Sequence, residues 1–214
     1  MRMIITVTPH YWQDGIAHLQ AHDAVMKEVI ARYPDSCLQS RGDVFHTLMR
    51  SIVGQQISVK AADAVWWRME KMVTVVTHDA CVHVEEEAWR SCGLSRQKIH
   101  YIQQLCAFMT EHAQAMTYDA LNAMEDAALL AFITSIKGIG RWSAEVFMMF
   151  CLMRPNVLPL DDIGVQRAMS QCYGMTPKPF DKTQARQIAT PWEPYCTIAT
   201  WFLWCSVDPS DVYY

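Results

Sequence analysis

Residues 129–150 restrict this chain more than any other stretch. Leu129 to Ile136 is an apolar segment with helical character, Lys137-Gly138-Ile139-Gly140-Arg141 follows, and a second apolar helix is predicted from about Trp142-Ser143-Ala144. Two glycines one residue apart allow a tight turn with positive φ at little cost. Ile139 between them can tuck in where the two helices meet. The start of the second helix presents backbone N–H groups with no intrahelical acceptor, and these, with the helix dipole, suit a phosphate. Lys137 and Arg141 flank the turn and add charge. From Lys137 to Arg186 seven basic residues stand against four acidic ones, on a chain whose formal net charge is −4. A uniformly basic coat is excluded; a local basic site on an acidic body is not. A GxG between helices is also a common connector, so the five residues alone do not settle the matter.

The remainder also reads as helices. Apolar residues at Ile16, Leu19, Val25, Val29 and Ile30 predict a helix from Gly15 to Tyr33, closed by Pro34, after an extended arm over residues 1–15. Asp43 is placed to cap a helix with Phe45, Leu48, Met49, Ile52 and Val53 on one face, interrupted at Gly54-Gln55-Gln56. Ser58, Ser95, Thr117 and Asp126 mark further helix starts, and residues 73–84 read as a loop plus a short helix. The predicted class is all-α. Charged residues are 19% of the chain and hydrophobic ones 51%, which excludes disorder throughout. The eight Cys include no CxxC and sit among apolar neighbours, as reduced buried thiols do. The opening MRMIITVTPHYW lacks the apolar core and cleavage site of a secretory signal, and Val146 to Met153 is too short to span a bilayer. An intracellular protein without a membrane partner is expected. The eight His show no ligand spacing, and the fourteen Met read as packing.

About twenty residues after the turn comes Pro159-Leu160-Asp161-Asp162-Ile163-Gly164, with a helix predicted over Ile163 to Cys172. An Asp before that helix is a good N-cap, and one or both Asp can be read as caps alone. The apolar helix, K-G-I-G-R and second apolar helix form the pattern of a helix-hairpin-helix, a motif that holds nucleic-acid backbones through phosphates rather than bases.

A hairpin followed at this distance by P-x-x-D-hydrophobic-G resembles the helix-hairpin-helix DNA glycosylases, and within them the alkylated-base (3-methyladenine) glycosylases. Three further blocks carry the resemblance in the family's order, covering about residues 20 to 206: Arg50-Ser51-Ile52-Val53-Gly54-Gln55-Gln56-Ile57-Ser58; Gly93-Leu94-Ser95 with Lys98 and Tyr101; and Trp192-Glu193-Pro194-Tyr195. The implied fold is two-lobed with a DNA cleft between the lobes. Residues 1–44 with 166–214 are expected in one lobe and 45–165 in the other, the hairpin lying at about 129–150. It looks like the compact form, since 214 residues are expected to be too few to carry the additional N-terminal β-rich domain of the inducible bacterial enzyme. The implied partner is damaged double-stranded DNA, bound by a monomer in the bacterial cytosol or nucleoid, or in the nucleus of a eukaryote.

The resemblance implies site residues too. Asp162 is the catalytic carboxylate, with Asp161 the alternative. Gln56 enters the emptied base stack. Lys137, Gly138, Ile139, Gly140, Arg141 and Ser143 contact the DNA backbone. Trp142, Trp204 and Tyr101 wall the pocket for the flipped base, where an alkylated, positively charged base can stack on indole. Trp66, Trp67, Trp192 and Trp201 are core or lobe-interface candidates. Relatives with lyase activity carry Lys where this chain has Trp142, so hydrolysis by water without a Schiff base is implied. Cys196, Val146 and Ile163 depart from residues common in relatives. Cys172, Cys196 and Cys205 lack iron–sulfur spacing, so no cluster and no metal are expected, apart from a monovalent cation that hairpin carbonyls could share with a DNA phosphate. The implied substrates are alkylated purines of the 3-methyladenine and 7-methylguanine type. Other lesions, such as hypoxanthine or ethenoadenine, and a non-catalytic DNA-backbone-binding role are the alternatives.

Overall fold

The computed structural model describes residues 7–40, 42–176 and 178–207. Among them there is no strand; a single bridge pairs Val7 with Ser40. The helices are α1 (Trp12–His22), α2 (Ala24–Arg32), α3 (Val44–Gly54), α4 (Val59–Val73), α5 (His78–Cys81), α6 (Glu86–Ser91), α7 (Arg96–Glu111), α8 (Tyr118–Asn122), α9 (Asp126–Thr134), α10 (Arg141–Phe150), α11 (Ile163–Tyr173), α12 (Lys182–Ala189) and α13 (Cys196–Val207). A short 3-10 turn, Thr190–Trp192, precedes α13. None of the described helices is long and apolar enough to cross a membrane. The all-α class is as the sequence predicts.

Most helix starts follow from local chemistry. The side chains of Asp43, Ser58, Ser95 and Thr117 each accept a backbone N–H from the first turn that follows. The expected helix from Gly15 to Tyr33 is instead two, because Asp23 breaks it. Its backbone is extended and its Oδ1 caps α2 by accepting from Val25 N at 2.8 Å and Met26 N at 2.9 Å. The extended arm expected over residues 1–15 also ends early: Trp12 already opens α1 and is buried. The rest of that arm in residues 1–6, and residues 208–214 of the expected first lobe, lie outside the described residues.

Two compact units form. One contains the described residues up to Ser40 together with those from Met148 onward; the other is Gly42–Phe147. The second break falls inside α10, so residues 148–165, expected with the central lobe, belong to the first unit. The helical ladder of α10 runs unbroken through that point, and nothing in the local sequence marks it.

The first unit is built around α13. From Cys196 to Cys205 every residue of this helix is buried. A helix apolar on all sides must be surrounded, and α1, α2 and α11 pack on it. Trp12 stacks on Phe202 and meets Trp201 edge-on. Asp23 fastens this unit. Besides capping α2, its Oδ2 accepts from Tyr173 Oη at 2.8 Å and from Trp192 Nε1 at 2.7 Å. Burial first, and then the bond to Asp23, pushes the Tyr173 phenol far above its ordinary pKa, so it remains a donor.

The central unit packs α3 against α4 and α7. Phe45, Leu48, Met49, Ile52 and Val53 of α3 are buried, with Ile99, Ile102, Leu105 and Cys106 of α7 and Leu129 and Ile133 of α9. Burial pushes the thiols of Cys81 and Cys106 up to about 12 and about 11, so both stay protonated and pack as small apolar groups.

Asp23→Ala removes a helix cap and strands two buried donors, Trp192 Nε1 and Tyr173 Oη. It is expected to lower unfolding free energy by about 3 kcal/mol in urea denaturation. Asp14→Ala, at an exposed position of α1, is expected to change it by less than about 0.5 kcal/mol.

Candidate functional site

In the central unit the turn between α9 and α10 has the shape its residues dictate. Gly138 takes φ +96°, and a Cβ there would stand 2.3 Å from Tyr101 Cγ. No side chain fits either the dihedral or the space. Gly140 has neither constraint, so only one of the two glycines is required by geometry. Ile139 is buried, and its N–H donates to Ile136 O at 3.0 Å. Lys137, Gly140 and Arg141 are exposed, Trp142 is half-buried and Ser143 is buried. Arg141 also donates from Nε to the buried Glu145 at 2.8 Å, with 62% of its side chain still exposed. Part of its charge is thereby balanced, which leaves Lys137 and the helix-start N–H groups as the stronger anion attractors of the turn.

Three contacts hold this turn to its surroundings. Tyr101 backs Gly138, and its hydroxyl accepts from Gln97 Nε2 at 2.6 Å. Gln55 Nε2 donates to Gly138 O at 2.8 Å. Lys98, on the same helix as Tyr101, donates from Nζ to Val53 O at 2.8 Å, closing the end of α3 beside Gln55. Burial lowers the Lys98 pKa. Next in chain, Gln56 is exposed with φ +57°, a left-handed conformation unusual for a residue with a side chain. Gln56 is therefore presented to solvent from a loop fastened to the hairpin. Tyr101 lies under the hairpin backbone, which accounts for its position without a pocket.

The cation that the resemblance implies would have to share backbone carbonyls. Ile136 O and Gly138 O already accept hydrogen bonds, and the turn's charged side chains, Lys137 and Arg141, are themselves cations. The turn does not offer a cation side-chain ligands.

Asp162 belongs to the first unit. The loop leading to it is braced by α13: Thr197 Oγ1 accepts from Val157 N at 3.0 Å and donates to Arg154 O, and Thr200 Oγ1 donates to Val157 O at 3.3 Å. Asp162 caps α11, its Oδ1 accepting from Val165 N at 2.7 Å. The same oxygen accepts from Trp204 Nε1 at 2.9 Å. Trp204 is only 7% exposed and stacks on Phe150, centroids 5.8 Å apart. Asp161 points elsewhere and pairs with Lys182 at the surface. The two acids are therefore different groups: one is oriented by two donors, the other is an exposed ion pair worth little.

The other singled-out residues fall as follows. Trp66, Trp192 and Trp201 are buried. Trp67 is not core: it is 56% exposed, with Lys71 Nζ 3.5 Å over its ring. Among the departures, Val146 and Cys196 are buried and Ile163 is 80% exposed beside Asp162. Burial pushes the Cys196 thiol up to about 12. The bonds from Gln55 to the hairpin and from Trp204 to Asp162 escaped the sequence reading, because partners 83 and 42 residues apart leave no local signal.

Known proteins resemble this chain in sequence and in fold. DNA-3-methyladenine glycosylase 1 of Schizosaccharomyces pombe is 26% identical over 200 residues, covering 91% of this chain and 87% of its own length. The Bacillus subtilis protein named putative DNA-3-methyladenine glycosylase YfjP is 23% identical over 214 residues, covering 92% of this chain and 71% of its own. The crystal structure of a DNA-3-methyladenine glycosidase from Bacillus halodurans superposes with TM-score 0.76 at 30% identity, covering 95% of this chain and 92% of that one. The S. pombe 3-methyladenine DNA glycosylase bound to abasic DNA superposes at 0.77 and 24% identity, over 90% and 96% of the two chains, and shows the fold. Residues 49–194 match the family model of HhH-GPD superfamily base excision DNA repair proteins. With that match spanning most of its length, the chain belongs to the HhH-GPD superfamily of base excision DNA repair proteins.

Proposed function

We propose that this chain is a monofunctional DNA glycosylase that hydrolyses the N-glycosidic bond of alkylated purines in duplex DNA. The observation that carries this reading is the orientation of Asp162, whose Oδ1 is held by a backbone N–H and an indole N–H. A protein that only gripped phosphates would gain nothing from a carboxylate oriented by two donors. The names of the relatives and of the 30%-identical structure, which specify 3-methyladenine, support the alkylated-purine class; 7-methylguanine is included by the resemblance alone.

In this reading the hairpin grips the backbone through its helix-start N–H groups and Lys137. The damaged nucleotide rotates out of the stack, at a cost of a few kcal/mol that is lowest for a damaged or mispaired base. Gln56, exposed on its fastened loop, fills the gap. The alkylated base carries positive charge and stacks on Trp142. Its departure takes the glycosidic electron pair and leaves positive charge on the sugar, which the Asp162 carboxylate stabilises. A water molecule then adds to C1′, its proton passing to the carboxylate or to solvent. The products are the free base and an abasic site in an unbroken strand. Trp142 has no amine to attack the sugar, so no covalent enzyme–DNA intermediate forms.

Asn retains the capping ability of Asp at the start of α11 and removes only the charge. Asp162→Asn is therefore expected to fold normally and bind duplex normally, but to release base at least about 100-fold more slowly, by chromatography of methylated duplex DNA. Asp161→Asn should release base at the wild-type rate; the opposite pair of results would move the catalytic role to Asp161.

Borohydride added during turnover is expected to trap no enzyme–DNA adduct on a denaturing gel, and efficient trapping would contradict hydrolysis by water.

Gln56→Ala should slow release from a fully paired duplex by about tenfold, and less where the lesion is mispaired and already easier to unstack. Equal rates on paired DNA would remove the wedge role.

A further inference from the structure

The resemblance makes Trp204 a wall for the flipped base. The contacts within its unit give it a different task. Its indole edge, not its face, meets Asp162: Nε1–H donates to Oδ1 at 2.9 Å. One ring face stacks on Phe150, interplanar angle 19°, and the residue is 7% exposed. The oxygen it holds is the one that also accepts Val165 N at 2.7 Å, so that oxygen faces a donor from each of two helices, α11 and α13. Gly164 makes the approach possible. A Cβ there would stand 2.9 Å from Asp162 Oδ1, 3.1 Å from Trp204 Cδ1 and 3.3 Å from Trp204 Nε1. The first distance is shorter than side chains tolerate, so the carboxylate or the indole would have to move.

We infer that Trp204 is a positioning residue that orients the catalytic carboxylate through its indole N–H, and that Gly164 is kept small to let it do so. The inference rests on the assignment of Asp162 to base release. A cap bond alone leaves the carboxylate free to swing about its Val165 contact. A second donor in a buried ring removes that freedom and holds the carboxylate in one orientation, so that it need not reorganise as positive charge develops on the sugar. The indole carries its donor on a large ring that is buried and stacked on Phe150, whereas a hydroxyl rotates about a single bond. Val165 N–H and the Trp204 indole both come from elements of the first unit.

Trp204→Phe separates the N–H from the ring. Phe keeps an aromatic face against Phe150 and loses only the donor and part of the ring area. If Trp204 acts through Asp162, Trp204→Phe should slow single-turnover release of 3-methyladenine by about tenfold or more, the effect of losing a hydrogen bond to a charged group. Its affinity for a duplex carrying an uncleavable abasic analogue should stay within about twofold of wild type. Trp204→Leu, lacking ring and donor, should release base no faster than Trp204→Phe. Wild-type release by Trp204→Phe, or losses of rate and affinity in equal proportion, would overturn the inference and return Trp204 to stacking or packing.

Gly164→Ala attacks the same contact with the indole intact and, by helix propensity, without weakening α11. It should likewise slow release at unchanged DNA affinity, even if Trp204→Phe does not fold; unchanged release would overturn the inference. Wild-type protein run alongside reads the underlying assignment separately. Absence of base release by wild type would defeat the glycosylase reading, and this inference with it.

Discussion

Helix α13 has no polar side to turn toward water, and that is the constraint on which the first unit depends. Ten consecutive residues, Cys196 to Cys205, are buried, so α1, α2 and α11 must enclose them. The few polar groups along it are each used. Thr197 and Thr200 brace the loop that runs toward Asp162, and Trp204 reaches the carboxylate itself. The hydrophobic demand of one helix thereby sets where the acid stands. At its other end the unit is closed by Asp23, whose two oxygens serve a helix cap, a tyrosine and a tryptophan. The chemistry proposed for Asp162 draws on a scaffold that is costly to disturb, because each of these buried donors would be left without an acceptor.

The central unit solves a different problem. The phosphate grip proposed for the turn needs exposed backbone, yet exposed backbone is free to move. Here Gly138 lets the Tyr101 ring lie directly against the chain, and Gln55 and Lys98 bind the adjoining loop to the same place. The blocks R-x-I-x-x-Q-Q-I-S and G-L-S-x-x-K-x-x-Y thus read as two halves of one fastening. Arg50 joins α3 to α4 through Asp63 and Trp66; Ser95 caps α7, and that helix carries Lys98 and Tyr101 to their contacts.

Legibility followed the range of the interaction. Helix starts at Asp43, Ser58, Ser95 and Thr117 were readable because a cap and its N–H are three residues apart. Asp23 was not, because the apolar spacing on either side continued through it and outweighed a single capping residue. Asp162 was readable as a cap, and the catalytic role is what the resemblance implies for it. Its separation from Asp161 in three dimensions was not readable: both precede α11, and only Lys182 and Trp204, distant in sequence, distinguish them. Trp67, a core or lobe-interface candidate by sequence, is 56% exposed on α4 under Lys71.

By itself the sequence determined the all-α class, the glycine turn between two apolar helices, the capped helix starts and, through ordered motifs, the family. All of these rest on residues a few positions apart or on patterns that a helix repeats. Tertiary structure alone decided where the two units divide inside α10, which acid meets an indole, and which face of Trp204 is used. Those outcomes depend on packing between helices far apart in the chain. Close packing admits one arrangement of such side chains, and no local rule encodes which one.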